Sequence, residues 1–327
     1  MRSRLLGVIA FAGMLGAGIS SAQEGIAEVP IPRNVYGAII ACGADGQAYF
    51  SSIGYEYFVL RASLDGSSQI FDLPDKGHAS VVAPYADGVN ILSPRLQPEK
   101  KRIIYHFDNL GSLLARHFVS TDLDDTIMAT TSSGTTVLVG RYRASEHEDW
   151  EYGGIVLDGS DRVVSHFKLP PPPAGGGWSF GPSNQLDEPL MTADDRAAYV
   201  VLHSDEPLAT EIATISESGK LSVKALPEPI LEDPHDHIRW LVGPGVAVEM
   251  YSRMNEKFSL VDRHPVHHFD EYDLKSGKRI ASKTARMGEF TPFSSACYYG
   301  DSVTGLGSRI NVPPDEPYLR LRMAKLQ

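Results

Sequence analysis

Several things are scarce in this chain, and each shortage excludes something. Only two of its 327 residues are Cys, Cys42 and Cys297. That is too few for a disulfide-stapled scaffold or a multi-cysteine zinc module. Basic residues are outnumbered, 30 Lys and Arg against 41 Asp and Glu, and no basic cluster is longer than Lys100-Lys101-Arg102. A field of that sign repels phosphate backbones and anionic lipid surfaces, so nucleic acid is excluded as a partner. No apolar run reaches the ~20 residues of a spanning helix. HExxH, CxxC and P-loop spacings are all missing, and no Ser/His/Asp arrangement is placed by motif. Helical periodicity is nearly absent as well.

The amino terminus reads MRSRLLGVIAFAGMLGAGISSA. Arg2 and Arg4 form a positive start, an apolar run follows over 5–19, and Ser20 and Ala22 supply small residues for cleavage. This is the pattern of a secretory signal peptide over residues 1–22. It implies an exported protein, periplasmic or secreted, with no stable membrane span after cleavage. The leader holds two bases and no acid, so its loss takes the formal charge from −11 to −13. Residues 23–327 are enough for one large all-β domain, and 42% hydrophobic content supplies a core.

What the chain does have is punctuation. Gly, Asp-Gly, Ser-Gly or Pro interrupts it every 8 to 12 residues, with β-branched and aromatic residues between. Two phrases alternate. One is a small-residue strand, a tight turn and an apolar strand: "IIACGADGQAYFSS", "SVVAPYADGVNILS", "IMATTSSGTTVLVG", "EPLMTADDRAAYVVL", "IRWLVGPGVAVEMY", "SSACYYGDSVTGLG". The other is a hairpin about a Gly turn that often closes on Leu-Pro, as in "YFVLRASLDGSSQIFDLP" and "GGIVLDGSDRVVSHFKLP". Its turn glycines are Gly66, Gly111, Gly159, Gly219 and Gly277. With strands a to d in each repeat, the pattern is that of propeller blades. First strands are expected to start near 38, 79, 126, 189, 237 and 293.

Six first hairpins stand against five complete second ones. The last blade ends in "EPYLRLRMAKLQ", a c strand with no d strand after it. The opening segment "IAEVPIP", residues 26–32, has the form of the missing strand. The expected fold is therefore all-β: six four-stranded antiparallel blades in one domain, with the amino-terminal strand pairing with residues 318–326. This architecture resembles the six-bladed propellers of the TolB-like superfamily, over nearly the whole mature chain. The resemblance implies an exported propeller and carries no signature motif; WD and YWTD runs are missing.

Loop length then suggests where function sits. The a–b and c–d turns, which share one face, are all tight. The long segments, 141–152, 170–186, 227–236, 253–266 and 311–317, all fall on the other. Long loops gathered on one face of a rigid ring are where binding usually resides. The candidates there are Trp178, after Pro171-Pro172-Pro173 and Gly175-Gly176-Gly177, and Trp150 in the acidic "EHEDWEYGG". A Trp on such a loop either caps a ligand or packs back onto the ring. "EDPHDHIRW" adds His235, His237 and Arg239, and "DRHPVHHFDEYD" adds His264, His267 and His268. His235, His237 and His264 form a weak candidate metal set in blade five, although solvated loop histidines look the same.

Two function classes remain. One is a binding or scaffold propeller that grips a peptide, protein or glycan in the cell envelope or outside the cell, with no cofactor. The other is a metal-assisted hydrolase or lyase built on the blade-five histidines. Six-bladed calcium-dependent lactonases place carboxylates on inner strands; here the acids sit at the turns and Gly, Ala, Thr and Tyr dominate, which favours the binding class. Cys42 and Cys297 occupy equivalent a-strand positions in blades one and six, which closure makes neighbours. They form either a bridge across the seam or two buried thiols.

Overall fold

The computed structural model describes residues 28–327 except 33, 36–38, 44–45, 53–56, 75–78, 80, 94–100, 144–148, 180–189, 206–207, 228–236, 253–265, 287–295 and 309–318. The chain folds into six four-stranded antiparallel sheets. The opening strand is β1 (Glu28–Ile31). Blade one follows with β2 (Ala41–Cys42), β3 (Ala48–Ser51), β4 (Phe58–Ala62) and β5 (Ser68–Asp72). Blade two is β6 (Val81–Tyr85), β7 (Gly88–Leu92), β8 (Lys101–Asp108) and β9 (Leu113–Ser120). Blade three is β10 (Asp124–Thr130), β11 (Thr136–Tyr142), β12 (Glu151–Leu157) and β13 (Val163–Lys168). Blade four is β14 (Met191–Ala193), β15 (Ala197–Asp205), β16 (Leu208–Ser216) and β17 (Leu221–Ala225). Blade five is β18 (His237–Gly243), β19 (Val246–Ser252), β20 (Val266–Asp273) and β21 (Arg279–Arg286). Blade six is β22 (Ala296–Tyr298), β23 (Ser302–Ser308), β24 (Leu319–Lys325) and then β1. Every first strand begins within three residues of its expected start.

The arrangement follows from what each strand must bury. Inner strands are apolar on both faces; β7 is buried at all five positions. Outer strands alternate, with β5 and β13 exposing every second residue or more. A sheet apolar on both faces must be covered on both, so the blades stack. Six apolar clusters result, one between each pair of neighbouring blades. Tyr49, Phe71, Tyr105 and Phe107 lie between blades one and two, and Trp240, Tyr272 and Leu274 between four and five. Inner strands touch in sequence all the way round, β2 to β6 and on to β22, which returns to β2.

The seam is closed by the opening strand. β1 pairs antiparallel with β24, Glu28 opposite Arg322 and Ile31 opposite Leu319. Ile31 is buried with Leu321, Leu306 and Phe50 in the cluster between blades six and one. Cys42 on β2 and Cys297 on β22 form a disulfide with Cα atoms 5.5 Å apart, 255 residues apart in sequence. Two separate ties, a strand pairing and a disulfide, therefore close the ring at this seam.

One turn departs from the sequence reading. Gly66, Gly111, Gly219 and Gly277 all take positive φ between the third and fourth strands of their blades. In blade three Gly159 does not; Asp161, with φ 57°, takes that backbone position instead. Its amide donates to Asp158 O at 2.8 Å, as that of Gly111 does to Asp108 O at 3.1 Å.

Blade five buries an acid. Glu249 on β19 is 2% exposed and lies directly opposite Asp270 on β20. Burial pushes its carboxyl up to about 7, against the hydrogen bond from the Tyr272 hydroxyl at 3.1 Å, and the Asp270 charge adds to the rise. An acid with a raised folded pKa keeps its proton in the folded state after the unfolded chain has lost it. Its contribution to stability is full below about pH 4.5 and is lost as pH rises through about 7, a total of roughly 3 kcal/mol. Glu249→Gln keeps an acceptor for Tyr272 and removes the ionisation. Thermal unfolding is therefore expected to show a higher Tm for the variant at pH 8 and equal values at pH 4.5. A variant less stable at pH 8 would refute this.

Candidate functional site: the central channel

Six inner strands converging on one axis leave room only for small side chains near it. Their sequences supply them: Ala41 and Gly43, Ala83, Ala129 and Thr130, Thr192 and Ala193, Gly243, and Ala296. The result is a cavity of about 620 Å³ in the channel, lined by inner strands of all six blades. Its walls include Val82, Met128 and Met191, and the turn residues Gln47, Tyr85, Asn109, Pro244 and Tyr299 also border it. The cavity thus reaches the face of the tight turns.

The polar groups at this end are held in place. Arg61 donates to the Asn109 carbonyl at 3.0 Å and lies over the Phe71 ring at 5.7 Å. Tyr299 donates to Gln47 O at 2.6 Å. Tyr298 donates to Glu271, which is also ion-paired to Lys283, and Lys283 donates to Gly300 O at 2.6 Å. Burial raises the Tyr49, Tyr85 and Tyr298 hydroxyls above their ordinary range, so each remains a neutral donor. Among the described lining residues Arg61 is the one formally charged side chain, and Asp, Glu, His, Lys and Ser do not occur. Cys42 lines the wall and is held in the disulfide.

The residues singled out in the sequence do not gather here. Trp178 is 5% exposed, donates from Nε1 to Pro170 O at 2.9 Å, and packs with Met191 and Leu202 between blades three and four. Trp150 sits under two guanidinium groups, Arg141 at 4.3 Å and Arg143 at 4.6 Å. His235 and His264 lie outside the described residues, and His237 opens β18 opposite Ser252. Arg239 is half-buried on β18. His268 stacks on Tyr251 with ring centroids 5.0 Å apart. His267 is buried, and burial together with the Arg239 charge holds its imidazole below the ordinary range. Most of the long loops named above also fall outside the described residues.

Sequence reasoning missed two things: the channel lining, and a grouping of His106, His117 and Asp161 between blades two and three. A signal for the first was present, since small residues recur at the same place in all six a strands. For the second, half a signal was present. His106 and His117 flank the Gly111 turn at spacings that put them on one face of the hairpin, but nothing local points to Asp161.

No protein-family model matches the chain, and no curated protein matches it. Solved structures with similar shape include an uncharacterised Listeria monocytogenes protein, 11% identical over 85% of this chain and 76% of that one, TM-score 0.43. A subtype N10 neuraminidase-like protein of an influenza A virus from the little yellow-shouldered bat is 9% identical over 93% and 99%, TM-score 0.44. The polysaccharide lyase Uly1 is 11% identical over 89% and 91%, TM-score 0.46.

Proposed function

We propose that this is an exported binding propeller whose ligand enters the central channel from the face of the tight turns. The observation that carries the reading is the lining itself. A cavity of about 620 Å³ falls within the 300–1,000 Å³ typical of ligand sites. Its walls are aliphatic and its mouth carries Tyr, Asn, Gln and one Arg. General acids and bases need a titratable group within hydrogen-bond reach of the reacting atom, and this lining offers tyrosines with raised pKa and a guanidinium. It is suited to recognition. An apolar side chain fits the walls and a peptide backbone finds donors and acceptors at the mouth, so a short peptide segment fits better than a glycan. Export is supported by the leader pattern of residues 1–22 and by the disulfide, which persists in an oxidising compartment.

The experiment is a binding screen of the mature protein against immobilised peptides and oligosaccharides, followed by calorimetry on the hits. Ala86→Trp and Ala193→Trp place bulk at the mouth and are expected to weaken a peptide hit at least tenfold. Trp150→Ala, on an outer loop, is expected to leave it unchanged. Hits that ignore both plugs would move the site out of the channel.

A further inference from the structure

Between blades two and three, away from the channel wall, two histidines meet a buried aspartate. On the β8–β9 hairpin, His106 pairs with Ala115 and His117 with Ile104, so the two histidines are diagonal neighbours on one face. Their ring centroids are 5.4 Å apart. Asp161 reaches across from the β12–β13 turn. Its Oδ2 lies 2.5 Å from His106 Nε2 and 2.7 Å from His117 Nδ1. Among the described residues, this is a group of ligand-type atoms all within 4.8 Å of one another.

Three features of the group go beyond proximity. Asp161 stands where four other blades place glycine, at φ 57°. A non-glycine residue in the left-handed region costs on the order of 1 kcal/mol, a cost that persists where the side chain is needed. That side chain is 2% exposed, and its Oδ1 is buried without a hydrogen-bond partner. A carboxylate oxygen left so is costly unless a cation satisfies it. The third feature is the orientation of His106. Asn90 donates its amide to the Thr130 and Thr136 hydroxyls at 3.0 and 3.2 Å and turns Oδ1 to His106 Nδ1 at 2.8 Å. His106 Nδ1 therefore donates to Asn90, and in the neutral ring Nε2 turns its lone pair toward the carboxylate, where a cation can bind both. Hydrogen bonding of the distal ring nitrogen is how metal-ligating histidines are usually oriented.

We propose that His106 Nε2, His117 Nδ1 and the Asp161 carboxylate bind a divalent transition-metal ion of the zinc class, clamping blade two to blade three. Two imidazoles and a carboxylate suit zinc better than calcium or magnesium, which take all-oxygen shells. Tetrahedral zinc at its usual bond lengths sets ligand atoms roughly 3.3 Å apart. The two His–Asp161 distances, 2.5 and 2.7 Å, must therefore lengthen by under an ångström, by a small shift of the His106 and Asp161 side chains and a turn of the His117 ring, which is 43% exposed. The same exposure leaves the fourth position open to water. The clamp is separate from the channel, so its failure would leave the binding proposal standing.

The test is zinc titration of the purified full mature protein in chelator-free buffer, by calorimetry and by thermal unfolding. The wild type is expected to take one zinc per chain and to melt higher when loaded. Asp161→Gly restores the residue the other turns use, so it should fold at least as well without metal. It is expected to lose both the stoichiometric binding and the zinc-dependent rise in Tm. Asn90→Ala, which frees the His106 ring, is expected to weaken zinc 10- to 100-fold while keeping the stoichiometry. If the wild type takes up no stoichiometric zinc, the histidines only share hydrogen bonds with Asp161 and the proposal fails. It fails equally if Asp161→Gly binds and responds like wild type, because the zinc would then sit elsewhere.

Discussion

A chain beginning at residue 33, without β1, is expected to melt about 10 °C or more below the one that keeps it. β1 supplies the fourth strand of blade six, pairing over Glu28–Ile31 with Arg322–Leu319. Its removal takes away Ile31, which is 1% exposed in the cluster between blades six and one. A buried aliphatic side chain of this size is worth about 2–5 kcal/mol when truncated. The lost ladder leaves β24 as an open edge beside that cluster. A total near 4 kcal/mol corresponds to roughly 10 °C, at about 2–4 °C per kcal/mol for large domains. The open edge also invites pairing with another chain, so the shortened protein should aggregate on heating. Ile31→Ala alone should show a part of the loss without the aggregation. An unchanged melting curve on deletion would show that β1 contributes nothing to closure.

Breaking the disulfide is expected to cost a comparable amount. Cys42→Ser with Cys297→Ser removes a cross-link spanning 255 residues. In the chain-entropy model a loop of that length is worth about 4–5 kcal/mol, the upper end of what disulfides contribute. Cys and Ser are close in size, so no large cavity is left; at Cys297, which is 0% exposed, the buried hydroxyl adds its own cost to that of the lost cross-link. The two ties close the same seam. With either one intact blade six still meets blade one, and with both gone only side-chain packing remains. The combined variant should therefore lose more stability than the two losses added, the signature of coupled sites in a double-mutant cycle. Strict additivity would mean that the seam is not a single cooperative unit.

Much of this architecture could be read in the sequence, because a propeller is built from local hairpins. Gly66, Gly111, Gly219 and Gly277 mark turns that only a left-handed residue can make, and the turn alone fixes the pairing on either side. The segment at 26–32 showed its role by counting: a blade ending in a c strand needs a d strand from somewhere. What could not be read is what depends on neighbouring blades. Gly159 looked like its counterparts, but the turn around it is shifted so that Asp161 carries the left-handed conformation and faces another blade. His106, His117 and Asp161 are 44 to 55 residues apart between blades, so spacing cannot bring them together. Trp178 follows a Pro and Gly stretch that reads as an exposed loop, yet the groove between blades three and four is apolar enough to bury it. The channel lies between those extremes. Its small residues recur visibly in each a strand, but only the closed ring shows that they enclose a cavity.

The central claim, that a ligand occupies the channel mouth, is most directly tested by site-specific photo-crosslinking in the producing cell. A photoreactive phenylalanine analogue replaces Tyr299 at the mouth in one variant and Leu114, exposed on outer strand β9, in another. Irradiation is expected to give a discrete adduct from position 299, none from position 114, and none from position 299 once Ala193→Trp is added. Adducts of equal yield from both positions, or an adduct at 299 that survives the plug, would contradict the account.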